Sequence, residues 1–294
     1  MSDVYHSRTQ PHWEIGERHD PVVWGALDGP LSTEQLSRFD GDGFVVLPGL
    51  FDAGEVEGIV AEAERLAAGA SDAGEREDVI TEPDSDVVRS IFRVHHNNAV
   101  FRALAANNQL CGAARQILGG DVYLHQSRIN FKPGFDGRGF DWHSDFETWH
   151  IEDGMPRMRA LSASVLLTDN SAVNGSLMLI RGSHRAYVRC VGETPTDHYK
   201  QSLKAQRYGV PSREALTLQV NDGGIEQALG TAGSVVLFDC NVLHGSSGNL
   251  SPYPRHNVFL VYNSVENRLV RPFGGLEPRP DFLAERGPQI SPPN

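Results

Sequence analysis

Arg255-His256-Asn257-Val258-Phe259-Leu260-Val261-Tyr262 reads as a β-strand. β-Branched and aromatic side chains dominate it, and a period of two puts Arg255, Asn257 and Phe259 on one face. That face carries a cation, an amide and an aromatic ring together. Taken alone, the arginine is equally an edge residue in a surface ion pair. Residues 122–131, 161–168, 176–180 and 234–239 are further β-like runs, separated by Gly, Asn, Pro and Ser turns. Short strands in this number predict an antiparallel sandwich or jelly roll, mainly β with flanking helices. In the first of these runs Gln126, Arg128, Asn130 and Lys132 share a face.

Helices are expected ahead of the strands. Residues 1–30 are polar, proline-rich and without period, and read as an extended arm whose Trp13 and Trp24 dock on the body. A single domain is expected over 31–294. A helix follows Ser32-Thr33 and stops at Gly41-Asp42-Gly43, and 44–48 is a short strand. Asp52 with Glu55 resembles a capping box, and Val56, Ile59, Val60, Ala63 and Leu66 recur at helical spacing. Residues 67–86 read as a loop and 101–118 as one helix closed by Gly119-Gly120. The segment 191–224 is long, charged and poorly patterned, which suggests a lid over a site.

The candidate site comes from two motifs. Asp141-Trp142-His143-Ser144-Asp145-Phe146 is answered far along the chain by Asn241-Val242-Leu243-His244-Gly245-Ser246. On a strand, His143 and Asp145 would project to one side, and Trp142, Phe146, Thr148 and Trp149 favour a strand here. Two imidazoles and one carboxylate can hold iron(II) on one face and leave other positions open. The bare His-x-Asp triplet is a weak signal in a chain with 12 histidines. Arg255, just beyond His244, strengthens it, because a buried guanidinium grips a carboxylate with two prongs.

Composition bounds the rest. A folded unit of this size buries roughly three quarters of its unfolded surface and needs no staples. The three cysteines, Cys111, Cys190 and Cys240, lack ligand spacing and point to a reducing, cytoplasmic compartment. No apolar run approaches the roughly 20 residues that span a bilayer. A net charge of −12 disfavours nucleic acid and anionic membrane as partners.

Longer stretches carry a resemblance. The run 146–157, Phe-Glu-Thr-Trp-His-Ile-Glu-Asp-Gly-Met-Pro-Arg, resembles the signature of the ectoine hydroxylases, in the phytanoyl-CoA hydroxylase-like branch of the iron(II)/2-oxoglutarate dioxygenases. So do 126–134, 190–195, Gly182-Ser183-His184 and 261–264, and the likeness spans about residues 35 to 285. Arg181 and Ser176 stand where the family usually has proline, and Ala163 where methionine is common.

The resemblance implies a double-stranded β-helix of the jelly-roll or cupin type. It implies iron(II) on His143, Asp145 and His244, with 2-oxoglutarate and O2 as cosubstrates. Lys132, Ser246 and Arg255, with Asn130, Phe140 and Asn257, would surround 2-oxoglutarate. Gln126, Trp149, Phe238 and Phe259 would contact ectoine, Trp149 and Phe259 through their faces toward its delocalised cation. A homodimer is implied by the family alone. Asp145 itself argues for hydroxylation, since related halogenases have a small residue there. Still open at this point are a hydroxylase of another small zwitterion, a non-enzymatic metal-binding jelly roll and a zinc hydrolase. Trp149 and Phe259 also read simply as core aromatics.

Overall fold

The computed structural model describes residues 3–25, 28–72, 76–82, 85–196 and 198–286. Within the arm, β1 (Glu14–Glu17) pairs antiparallel with β9 (Ala186–Arg189). Ser32 and Gln35 form a reciprocal capping box at the head of α1 (Thr33–Asp42), and Gly43, at φ 87°, closes it in the left-handed region. β2 (Phe44–Leu47) follows. Asp52 and Glu55 cap α2 (Ala53–Asp72) in the same reciprocal way. A hairpin of β3 (Val79–Thr81) and β4 (Val88–Phe92) leads into three helices, α3 (Val94–Asn97), α4 (Ala99–Ala105) and α5 (Asn108–Leu118).

The strand-rich part then builds two sheets. β5 (Val122–Lys132), β7 (Ala160–Leu166), β11 (Val235–Asp239) and β13 (Arg255–Ser264) join β2, β3 and β4 in a seven-stranded sheet of order β2-β11-β7-β13-β5-β4-β3. β6 (Phe140–His143), β8 (Leu177–Ile180), β10 (Ile225–Gln227) and β12 (His244–Ser246) form a four-stranded sheet of order β10-β8-β12-β6. Neighbouring strands are antiparallel throughout. This is the double-stranded β-helix, a jelly roll with helices on one side.

Both faces of the larger sheet are covered. Val258, Leu260 and Tyr262 of β13 join Ile129, Phe101, Leu110 and Ile117 in the helix-side core. Phe259, one residue out of phase, packs on the other side with Leu177 and Leu179 of the smaller sheet. Full burial of each such side chain is worth about 1.5–3 kcal/mol. The period of two thus separates a greasy helix side from the interior between the sheets, where the polar residues of β5 and β13 point.

Three expectations need correction. Residues 67–86 are not one loop: Ala67, Ala68 and Ala70, good helix formers, carry α2 on to Asp72, and β3 begins at Val79. Residues 73–75 and 83–84 lie outside the described residues. The helix expected over 101–118 is two helices, because the Asn107 side chain accepts from Gln109 and Leu110 N–H and starts α5 afresh. The strand expected through Asp145 ends at His143, and α6 (Asp145–Thr148) with a π-helical turn (Trp149–Asp153) takes over. Ser144 caps that helix, a local bond that overrides the strand preference of its neighbours.

The poorly patterned stretch 191–224 contains α7 (Tyr199–Ser202) and α8 (Arg213–Gly223). Ser212 caps α8 but only Ala215 of that helix is fully buried, so its apolar stripe is too thin to read. No helix among the described residues is long and apolar enough to cross a membrane.

Asn107→Ala removes the acceptor of two backbone donors and should lower stability by about 1 kcal/mol. Urea unfolding should show a lower midpoint with an unchanged slope; an unchanged midpoint would mean that α5 is held by packing alone.

Candidate metal centre and adjoining cavity

His143 ends β6 and His244 begins β12, and the two are direct partners in the ladder of the smaller sheet. Each imidazole is fixed by its own strand: His143 Nδ1 lies 2.8 Å from Asp141 O, and His244 Nδ1 lies 3.0 Å from Val242 O. A carbonyl only accepts, so each Nδ1 carries the proton and each Nε2 presents its lone pair. The rings tilt together with centroids 4.2 Å apart.

Asp145 opens α6 and closes the group. Its Oδ1 lies 3.6 Å from His143 Nε2 and 3.9 Å from His244 Nε2, while Ser162 Oγ donates to its Oδ2 at 3.3 Å. The three donor atoms all fall within 4.8 Å of one another. Burial pushes the Asp145 carboxyl up, but His244, His143 and Arg128 outweigh it and hold the group well below the carboxylate range. Burial, with His143 alongside, pushes the His244 imidazole down to about 4. A deprotonated acid beside a neutral imidazole is the state a divalent metal needs, and two imidazoles with one carboxylate is the donor set that suits iron(II).

Behind this group lies a cavity between the sheets. Of the residues singled out in the sequence, Asn130, Lys132, Phe140, His143, His244, Ser246, Arg255 and Phe259 line it. The β5–β13 register explains the grouping, setting Arg255 opposite Lys132, Asn257 opposite Asn130 and Phe259 opposite Arg128. Arg255 is buried with its Nε unpartnered. Burial, with Arg89 and Arg128 nearby, lowers its guanidinium to about 10. Such an orphaned donor invites a carboxylate, because leaving it unpaired is costly. Lys132 Nζ donates to Ser246 Oγ at 2.9 Å, Ser247 O at 2.6 Å and Gly175 O at 3.2 Å. Burial, then Arg255 and Arg89, brings its ammonium down to about 6.

Other sequence-derived candidates stand off the cavity wall. Asn257 is buried one step from Arg255 and donates to Ser164 Oγ at 2.9 Å. Phe238 backs the metal group, its ring 5.0 Å from that of His244 and 6.4 Å from that of Phe259. Gln126 donates to Leu283 O at 2.7 Å, and Trp149 packs against the His125 ring at 5.0 Å.

Three charged cavity residues carried no role in the sequence reading. Arg128 stacks on Phe259, 4.8 Å from its centroid, and alternation had already placed it on the right face. Arg89 and Glu82 pair at 2.6 Å, and Arg89 also donates to Gly139 O. The run Val88-Arg89-Ser90-Ile91-Phe92 has strand character that could have revealed Arg89. Ser162, which holds Asp145, looks from sequence like any small strand residue.

Comparison with known proteins follows the same lines. The family model described as phytanoyl-CoA dioxygenase (PhyH) matches residues 39–257. An ectoine dioxygenase of Bordetella parapertussis is 55% identical over 286 residues, 97% of this chain and 92% of that protein. One from Sphingopyxis alaskensis is 53% identical over 289 residues, 98% of this chain and 94% of that protein. The crystal structure of EctD from S. alaskensis with 2-oxoglutarate and 5-hydroxyectoine superimposes with a TM-score of 0.89 at 48% identity, covering 99% of this chain and 97% of that one. The nogalamycin carbocyclase SnoK, at 20% identity and a TM-score of 0.64 over 80% of this chain and 84% of its own, shares the fold. By the extent of the family match and of these identities, this chain belongs to the phytanoyl-CoA dioxygenase family, as a 2-oxoglutarate-dependent iron dioxygenase.

Proposed function

We propose that this protein hydroxylates ectoine to 5-hydroxyectoine, consuming O2 and releasing succinate and CO2, as a step in making a compatible solute. The observation that carries the reading is the convergence of two lone-pair-bearing Nε2 atoms and the Asp145 carboxylate beside a buried Arg255 whose Nε has no partner among the described residues. Identity near 55% to ectoine dioxygenases over almost the whole chain supports the choice of substrate. When bound, iron(II) and 2-oxoglutarate would activate O2, which is the oxidant: 2-oxoglutarate would give up two electrons as it becomes succinate and CO2, and the C–H bond of the substrate the other two.

The chain's own residues do the rest. His143, Asp145 and His244 hold the metal on one face, and the carbonyls of Asp141 and Val242 keep both rings aimed at it. Arg255 anchors the distal carboxylate of 2-oxoglutarate. Lys132 and Ser246 form a second polar wall, Asn130, Asn257 and Phe140 complete the surround, and Arg128 and Arg89 add positive charge. Phe259 and Phe238 exclude water from the side of the His244 ring.

Ectoine is a compact zwitterion with a delocalised cation, suited to the faces of Trp149 and Phe259. Arg128 already covers Phe259 at 4.8 Å, so the substrate uses what that contact leaves exposed. A contact from Gln126 requires its amide to leave the Leu283 carbonyl. A cytoplasmic homodimer is part of the proposal. The three cysteines are buried and free, in keeping with a reducing compartment.

Anaerobic loading with iron(II) and 2-oxoglutarate, then O2 in the presence of ectoine, should add one oxygen atom to ectoine by mass. Asp145→Ala should abolish the gain, and proline in place of ectoine should yield little succinate. Unmodified ectoine, or full turnover by Asp145→Ala, would refute the reading. Arg255→Ala should raise the KM for 2-oxoglutarate about 10- to 100-fold, the worth of a charge-assisted bond, with a smaller effect for ectoine; equal shifts would point to general damage. Since His244 titrates near 4, it is neutral at pH 6 as at pH 8. In the metal-free protein the His244 imidazole resonances, followed by NMR, should therefore stay those of the neutral ring until the pH nears 4, and a midpoint at the ordinary histidine value of 6.5 would contradict its burial in this site.

A further inference from the structure

A second set of buried charges lies under the beginning of the chain. Arg8 adopts φ 59°, a left-handed backbone that L residues seldom take, and its N–H donates to Cys190 O at 2.9 Å. Its guanidinium is 3% exposed. Nε and Nη2 fork onto Glu147 at 3.0 and 2.6 Å, and Nη1 reaches Glu152 at 2.6 Å and Thr194 Oγ1 at 2.8 Å. Ser7 Oγ adds a donor to Glu147 at 2.7 Å.

Both carboxylates belong to the piece of chain that begins with Asp145: Glu147 is in α6 and Glu152 in the π-helical turn. On their other side sits the stretch 198–209. His198 Nε2 lies 2.6 Å from Glu152 Oε2, and Gln206 donates to Thr148 Oγ1 at 3.3 Å. Gly209, at φ 69°, presses so closely on Glu147 and Arg8 that a Cβ there would collide with both. Between these anchors Leu203 forms part of the cavity wall. Arg8 therefore touches the helix that presents a metal ligand and, through Thr194, the root of the stretch that covers the cavity.

We propose that Arg8 is a positioning residue for the oxidation: it clamps the stretch 198–209, with Leu203, over the cavity and ties that closure to the helix bearing Asp145. The inference rests on the dioxygenase reading of the site. A covered cavity excludes water and keeps cosubstrate consumption coupled to attack on the substrate. The planar fork of arginine spans two carboxylates and a hydroxyl at once; lysine keeps the charge without that geometry. Without the fork, Glu147 and Glu152 are left as buried carboxylates short of a counter-ion.

The test compares full-length wild type with Arg8→Lys and Thr194→Val. In trypsin, without substrate, Arg8→Lys should be cut at Lys200, Lys204 or Arg207 about tenfold faster, since local opening sets the rate. In turnover, succinate formed per hydroxylated product should rise from near one to about three or more, with the KM for 2-oxoglutarate within about twofold. Thr194→Val, which removes one bond and leaves both ion pairs, should move both readouts the same way by less; it decides the matter if Arg8→Lys does not fold. Wild-type cleavage and an unchanged succinate ratio, even with a lowered Tm, would give Arg8 a purely structural role and overturn the proposal. A wild type that leaves ectoine unmodified removes the functional reading instead, and the substrate-free cleavage still decides the clamp.

Discussion

Pairing of β12 with β6 sets His244 against His143, and the geometry of the site depends on that register. A slip of one residue would turn an imidazole to the opposite face. The same short strands supply the carbonyls of Asp141 and Val242 that fix the ring tautomers, so backbone pairing and ligand chemistry are set together. Asp145 then needs to be off the strand. Had β6 continued, its carboxylate would have followed the pleat; the Ser144 cap turns the chain into α6 and brings Oδ1 within 4 Å of both Nε2 atoms.

Charge is segregated around this point. On the cavity side, Arg89, Arg128 and Arg255 stand with Glu82 as the one carboxylate among the lining residues, although the chain as a whole carries a net charge of −12. The excess is suited to an anionic cosubstrate, and it adds to burial, the larger cause, in lowering both the Lys132 ammonium and the Arg255 guanidinium. On the far side of α6 the sign reverses. Glu147, Glu152 and Asp153 are buried there and answered by Arg8 and Arg279, the latter forked onto Asp153 at 2.6 and 2.8 Å. Those cations come from opposite ends of the chain, so the metal-bearing helix is held by segments remote in sequence.

Legibility followed the strength of the local signal. The alternation along β5 and β13 exposed the inner face, and the capping pairs Ser32/Gln35 and Asp52/Glu55 marked helix starts that the structure places there. The two motifs named the three residues whose donor atoms converge. Where the reading failed, two local preferences competed: aromatic and β-branched neighbours argued for a strand through Asp145, while one serine hydroxyl decided for a helix. Glu82 and Ser162 escaped notice because nothing in their own neighbourhood distinguishes them; their part in the site arises from what stands opposite.

Sequence by itself narrowed the fold to an antiparallel sandwich or jelly roll and determined the two strand faces and the three metal-ligand candidates, because each rests on periodicity or on residue types within a few positions. Tertiary structure alone decided which candidates share the cavity, that the Arg255 Nε finds no partner among the described residues, and that Arg8 spans Glu147 and Glu152. Those are matters of distance between segments separated by over a hundred residues, and only the register of the sheets and the burial of charge fix such distances.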